Sequence, residues 1–121
     1  MPSLSAASRE ALKRVSTATL TTVLFKHGLR NTFIQGVFLL NRTAPRMVGE
    51  AYTLRYIPAR EDVDQLGAFD GRGHPQREAI EACPPGQVLV MDARRDASAA
   101  TGGDILMTRL MVRGVAGVVT D

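Results

Sequence analysis

Two short apolar runs, each closed by an aspartate and separated by a glycine pair and a helix-patterned stretch, restrict the second half of this chain to few folds. The runs are residues 87–92, Gln-Val-Leu-Val-Met-Asp, and residues 115–121, Val-Ala-Gly-Val-Val-Thr-Asp. Each is short, apolar and bounded by turn residues, the pattern of a buried strand rather than of a half-exposed one. Between them Gly102-Gly103-Asp104 precedes residues 105–113, in which apolar positions 105, 106, 110 and 112 suit an amphipathic helix that Gly114 ends. Strand, glycine turn, helix and strand in that order form a crossover unit with parallel strands, right-handed by the general rule, so the fold class is α/β.

Upstream, residues 5–15 open with capping residues and continue with helix formers, predicting a short first helix. Thr17 can cap a second, over residues 18–26, where Leu20, Val23 and Leu24 share a face and Gly28 supplies the stop. His27, beside that stop, suits the negative end of the helix dipole better than a metal, since no second ligand lies one turn away. Residues 33–40 are apolar and β-favouring and end in the turn-like Asn41-Arg42-Thr43-Ala44-Pro45, predicting a strand or extended segment. Residues 47–57 alternate with a two-residue period until Pro58, which puts Gly49, Ala51 and Thr53 on one strand face. Residues 59–75 read as a polar loop, residues 76–83 as a helix, and Pro84-Pro85-Gly86 as the break before the first buried run.

Composition narrows the function classes. With 45% hydrophobic and 22% charged residues in 121, the chain has the makeup of one globular domain and lies outside the regime that stays disordered. No apolar run approaches the roughly 18 residues of a membrane helix, and residues 1–13 lack a secretory core, so a cytoplasmic protein without a membrane partner is expected. The net charge of +3 hints at an anionic partner, but the 15 basic residues, 13 of them Arg, are interspersed with acids. Among the arginines only Arg94 and Arg95 are adjacent, and six aromatics are few for stacking on bases, so direct nucleic-acid binding is not expected. An Arg-rich, Lys-poor balance suits bidentate pairing with carboxylates, in an interface or at a site for organic acids. Cys83, the single cysteine, has no disulfide partner and no zinc-site neighbours, and reads as packed wall.

The chemistry concentrates at the glycine turn. Glycines let a ligand approach the backbone, and the free N–H groups at a helix start attract an anion, so residues 102–106 are a candidate carboxylate or phosphate cradle. A plain tight turn fits the same glycine pair. The turn is neither a P-loop, which needs Gly-Lys-Ser/Thr, nor a Gly-x-Gly-x-x-Gly dinucleotide site. Asp104 is the candidate catalytic acid: a first-turn carboxylate beside a substrate can order metal-bound water or relay a proton, while its plainer role is to favour the helix dipole. Asp92 and Asp121, each closing a strand, either line the same pocket or cap turns. Asp62, Asp64, Asp70, Arg72 and His74 belong to a solvated loop whose spacing does not fill an EF-hand.

The succession Pro85-Gly86-Gln87-Val88-Leu89-Val90-Met91-Asp92, then Gly103-Asp104-Ile105-Leu106, then residues 113–121 closely resembles the RraA-like family, which holds both 4-hydroxy-4-methyl-2-oxoglutarate aldolases and regulators of ribonuclease activity. Gly49-Glu50-Ala51-Tyr52-Thr53 is similar to that family's early Gly-x-Ala-x-Thr strand. The resemblance implies an α/β/β swivelling domain with N-terminal helices, assembled as a homotrimer or hexamer with active sites between subunits. It implies that Gly103, Asp104, Ile105 and Leu106 bind the carboxylate of pyruvate or an oxo acid through backbone amides. It also implies a divalent cation, usually Mg2+, that polarises the keto oxygen in the aldolases. The family continues Gly-x-x-Arg-Asp after the position of Asp121, with the Arg on substrate and the Asp on the metal. That pair is not among these 121 residues, so the domain over residues 1–121 is expected to be incomplete at its C-terminus and to leave the metal ligands unidentified. The expected function is metal-dependent aldol cleavage of 4-hydroxy-2-oxo acids to pyruvate in the full-length form, the fragment alone being inactive. The alternative is a non-catalytic regulator that binds and inhibits a ribonuclease. A methyltransferase role is discounted because no glycine-rich nucleoside site is visible.

Overall fold

The sequence rule that parallel strands need a helical crossover is met twice. In the computed structural model, which describes residues 3–65, 67 and 73–121, the elements run α1 (Ala6–Lys13), α2 (Thr17–Lys26), β1 (Ala51–Arg55), α3 (Pro75–Ala82), β2 (Val88–Asp92), α4 (Asp104–Val112) and β3 (Gly117–Thr120). The three strands form one parallel sheet in the order β1-β2-β3, with Tyr52 opposite Leu89, Leu54 opposite Met91 and Leu89 opposite Val118. These five side chains share one face by the two-residue period, and against it pack Ile80 and Cys83 from the α3 end and Leu106, Met107 and Leu110 from α4. The helices are tied at their surface by Glu81, which receives Arg109 at 2.8 Å through both carboxylate oxygens and Arg113 at 3.3 Å.

Cys83 is fully buried in this core, and burial raises its thiol pKa, so the packed-wall reading stands. The Gly49, Ala51 and Thr53 face is the opposite one. There Gly49 lies so close to the 84–87 turn that a Cβ would sit 2.5 Å from the Gly86 carbonyl oxygen. The same corner is clamped by Arg9 of α1, whose guanidinium donates to the carbonyls of Val48 at 2.8 Å and Gly86 at 2.6 Å and pairs with Glu50 at 2.9 Å. The N-caps of α1 and α2 are serines: the hydroxyls of Ser5 and Ser16 each accept a backbone N–H three residues on, at 3.1 Å.

One expected element is corrected. Residues 33–40 are not a strand; a turn at Gln35-Gly36, with φ +79° at Gly36, breaks the run, and among the described residues no strand pairs with it. Phe38, Leu39 and Leu40 are 83%, 68% and 100% exposed, so β propensity without a pairing partner leaves apolar coil. With α2, this segment lines an open apolar cavity of about 370 Å³ that reaches Val119 on the second sheet face. The predicted strand over 47–57 shrinks to β1, although the Glu50 carbonyl and the Tyr56 N–H still join the ladder to β2 at 2.9 Å each. His27 stands where expected, as the C-cap of α2.

Candidate functional site: an uncapped helix start at the sheet's C-terminal edge

Because both crossovers return to parallel strands, the strand ends Arg55, Asp92 and Thr120 and the start of α4 lie along one edge of the sheet. Gly103 is the N-cap of α4, and unlike the two serine caps it offers no side-chain acceptor to the first-turn N–H groups. Its backbone is extended, φ −98° and ψ 180°, so no left-handed conformation calls for glycine here. Nor does packing: a Cβ built on Gly103 meets nothing within 4 Å. Gly102 differs, since a Cβ there would strike the flexible tip of Met107 at 2.6 Å.

Of the predicted site residues, Gly103, Asp104 and Ile105 are exposed, Ile105 by 77%, while Leu106 is half-buried and packs on the core. The first turn of α4 is therefore anchored by Leu106 and open at its start. The loop that delivers it is fixed through Thr101, whose carbonyl accepts the Tyr56 hydroxyl at 2.7 Å and the Gln76 amide at 2.6 Å. The Thr101 hydroxyl lies 3.0 Å from that of Thr120, which ties the loop to β3. Sequence reasoning did not single out Tyr56, Gln76 or Thr101; partners 20 to 45 positions apart leave no local pattern to read.

Asp92 and Asp121 turn out to hold the loop. Asp92 receives Arg55 Nε at 2.7 Å and the Arg94 N–H at 2.9 Å, and Asp121 receives the N–H groups of Ala93 at 2.6 Å and Arg95 at 2.8 Å. The Arg55 bond and the Arg94 N–H hold the Asp92 carboxyl below its ordinary pKa. Backbone N–H bonds do the same for Asp121, against smaller upward pushes from burial and, less, from the Asp92 charge. Between these clamps Arg94 and Arg95 both take left-handed backbone angles, φ +60° and +61°. Nothing in the residue types announces that conformation, which glycine adopts far more readily.

In the polar loop, Arg60 binds the Asp62 carboxylate with its guanidinium and Asp64 Oδ2 with its N–H at 2.6 Å, and His74 is the N-cap of α3. Asp70 and Arg72 lie outside the described residues. Among the described residues no three His, Cys, Asp or Glu side chains converge on a metal position. Asp92 and Asp121 each bind the loop through both oxygens, and no third acid or His joins them among the described residues. No helix of the described residues is long and apolar enough to cross a membrane.

Comparison with known proteins converges on one family. The sequence model of the RraA-like family, Aldolase/RraA, matches residues 17–121, from the start of α2 to the last residue. Among solved structures, the chain is similar to Streptomyces coelicolor RraAS2, described as an unusual member of the RNase ES inhibitor RraA protein family. The two share 33% identity at a TM-score of 0.75, over 97% of this chain and 54% of that one. The chain thus spans about half the length of that relative. The parallel sheet, the glycine turn and the two matches together place this chain in the RraA-like family.

Proposed function

We propose that residues 103–106 form the carboxylate-binding part of a 2-oxo acid site, and that the full protein cleaves 4-hydroxy-2-oxo acids, such as 4-hydroxy-4-methyl-2-oxoglutarate, to pyruvate. The supporting observation is Gly103: neither backbone angle nor packing among the described residues calls for glycine there, and the helix start beside it carries no side-chain cap. Absence of a side chain then serves close approach of an anion to the N–H groups of the first turn. In the reaction the substrate's C4 hydroxyl gives up its proton, the C3–C4 bond breaks, and its electron pair forms the pyruvate enolate, which is protonated at C3. Asp104, exposed in the first turn of α4, is the proposed proton carrier beside the bound carboxylate. Mg2+ belongs to this reading through the family alone, and when bound it supplies Lewis-acid polarisation of the keto oxygen. The proposal includes a homotrimer or hexamer in the cytoplasm.

The test is pyruvate release from that acid with and without a chelator, together with Gly103→Val. Release that requires the cation is expected, and activity unchanged in excess chelator removes the metal requirement. Valine should weaken pyruvate binding by at least about 1.4 kcal/mol, roughly tenfold. Its stability cost should not exceed that of a poorer N-cap, about 1 kcal/mol. If the valine variant binds pyruvate like the parent, the cradle is elsewhere.

A second reading, a regulator that binds a ribonuclease, is favoured by the similarity to RraAS2. Inhibition of a ribonuclease by a protein that cleaves no hydroxy-oxo acid would select it.

A further inference from the structure

Over the whole chain acids and bases alternate, but between Glu10 and Glu50 there is no Asp or Glu at all, while six Lys and Arg residues fall there. Of those six only Lys13 has a carboxylate partner among the described residues. Cations without counter-charges in their own segment attract an anion from outside. Arg30 is the one of them that lines a cavity.

Thr17, Thr21 and Phe25 are spaced by four and share a face of α2. Gly28, at φ +82°, ends the helix, and residues 29–33 and 35 enclose with that face an open cavity of about 560 Å³. This is the size of a small-molecule site and far larger than a packing gap. Its apolar walls are Phe25, Leu29 and Phe33, each more than half exposed. Phe38, Leu39 and Leu40, the barest apolar residues of the segment, do not line it, so the cavity is distinct from that tip. The Arg30 guanidinium lies over the Phe25 ring, 4.7 Å from its centre. Stacking engages the flat face of a guanidinium and leaves its edge N–H groups free for a planar, two-oxygen acceptor. No acid is present in the lining to take them.

We propose that this cavity binds a small aromatic carboxylate, its ring against Phe25, Leu29 and Phe33 and its carboxylate on Arg30. One cation in the lining matches one negative charge, and the apolar walls match a ring better than a short oxo acid, which has little apolar surface to cover them. The inference does not depend on the cradle, none of whose residues 103–106 lines the cavity. What carries it is an arginine without a carboxylate partner, stacked on a phenylalanine at the wall of an acid-free cavity of ligand size.

The test is titration of the protein, followed by NMR, with benzoate, with its uncharged isostere benzamide, and with adenosine monophosphate, in the parent and in Arg30→Gln and Phe33→Ala. The parent should bind benzoate saturably and at least about tenfold more tightly than benzamide. Arg30→Gln should abolish that difference, while Phe33→Ala should weaken both ligands and keep it. Both positions are exposed, so thermal melts of the variants should match the parent's. The comparison of benzoate with benzamide in the parent stands without either variant. No saturable binding of benzoate below about 10 mM overturns the inference, as does equal binding of benzoate and benzamide. Benzoate affinity unchanged in Arg30→Gln places the ligand elsewhere and also overturns it. Adenosine monophosphate bound more tightly than benzoate overturns it in favour of a nucleotide site.

Discussion

At the scale of single residues, carboxylates do structural work here that their sequence positions only half disclose. Asp92 and Asp121 stand at the strand-end edge where α/β sites gather, yet what they bind is loop backbone: Asp92 the N–H of Arg94, two positions on, and Asp121 those of Ala93 and Arg95, 28 and 26 positions back. Glu50 is bonded by the Leu4 N–H and by Arg9, and Glu81 by Arg109, and all four acids are held below their ordinary pKa by these partners. Their folded pKa values are depressed, so the unfolded chain binds more protons on acidification and stability must fall as pH falls. The contribution is complete above the free-carboxylate range, about 3.9 for Asp and 4.3 for Glu, and is lost as pH drops through the lower folded values. Thermal melts should therefore be flat from pH 7 to about 5 and descend steadily below that range. Asp121→Asn, which keeps one acceptor but no charge, should flatten the descent; an unchanged acid profile would mean the loop clamp contributes nothing.

At the scale of elements, local pattern and long-range partnership divide what could be read. The helices, β2 and β3 were legible because 3.6-residue and buried-run patterns coincided with Gly and Pro punctuation, as at Pro84-Pro85-Gly86 and Gly114. Residues 33–40 misled because β propensity describes fit to a pleated neighbour, and no neighbour is supplied. Gly49 shows the converse: its place in a Gly-x-Ala-x-Thr strand was legible, but the reason for glycine, contact with the Gly86 carbonyl, belongs to a turn 37 residues later. Gly49→Ala must push either β1 or that turn aside, because the obstacle is backbone and Val88 Cγ2 already stands 3.1 Å off. Overpacking of this kind costs about 1–3 kcal/mol. In a domain of this size that lowers Tm by several degrees, about 4–8 °C per kcal/mol at 60–100 residues. Gly103→Ala, whose added Cβ meets nothing within 4 Å among the described residues, is the control and should change Tm little. Equal melting of both variants would show that the 49–86 contact is not tight.

At the scale of the whole molecule, the topology followed from the alternation of crossovers and buried runs, and the topology sets where the proposed cradle, the start of α4, lies. What stayed illegible is how surface is divided between solvent and other molecules. Val23, Phe25, Leu29, Phe33, Ile34, Phe38, Leu39 and Leu40 are all between 46% and 100% exposed, and they fall within an 18-residue stretch. Exposed apolar side chains this dense are a candidate contact site, and the stretch carries little charge: only Lys26, His27 and Arg30 interrupt it. The proposed homo-oligomer has here the surface it needs. Sedimentation of the protein should give a mass three or six times that of the 13.1 kDa chain, and Phe38→Asp with Leu40→Asp should shift it to the monomer, because each carboxylate would have to be buried unpaired in the contact. Both side chains are already exposed in the monomer, at 83% and 100%, so the substitutions should leave the monomer's fold and melting temperature nearly unchanged. A parent that sediments as a monomer at micromolar concentration would remove the oligomer from the proposal. An oligomer that persists in the aspartate variant would move the contact to another face.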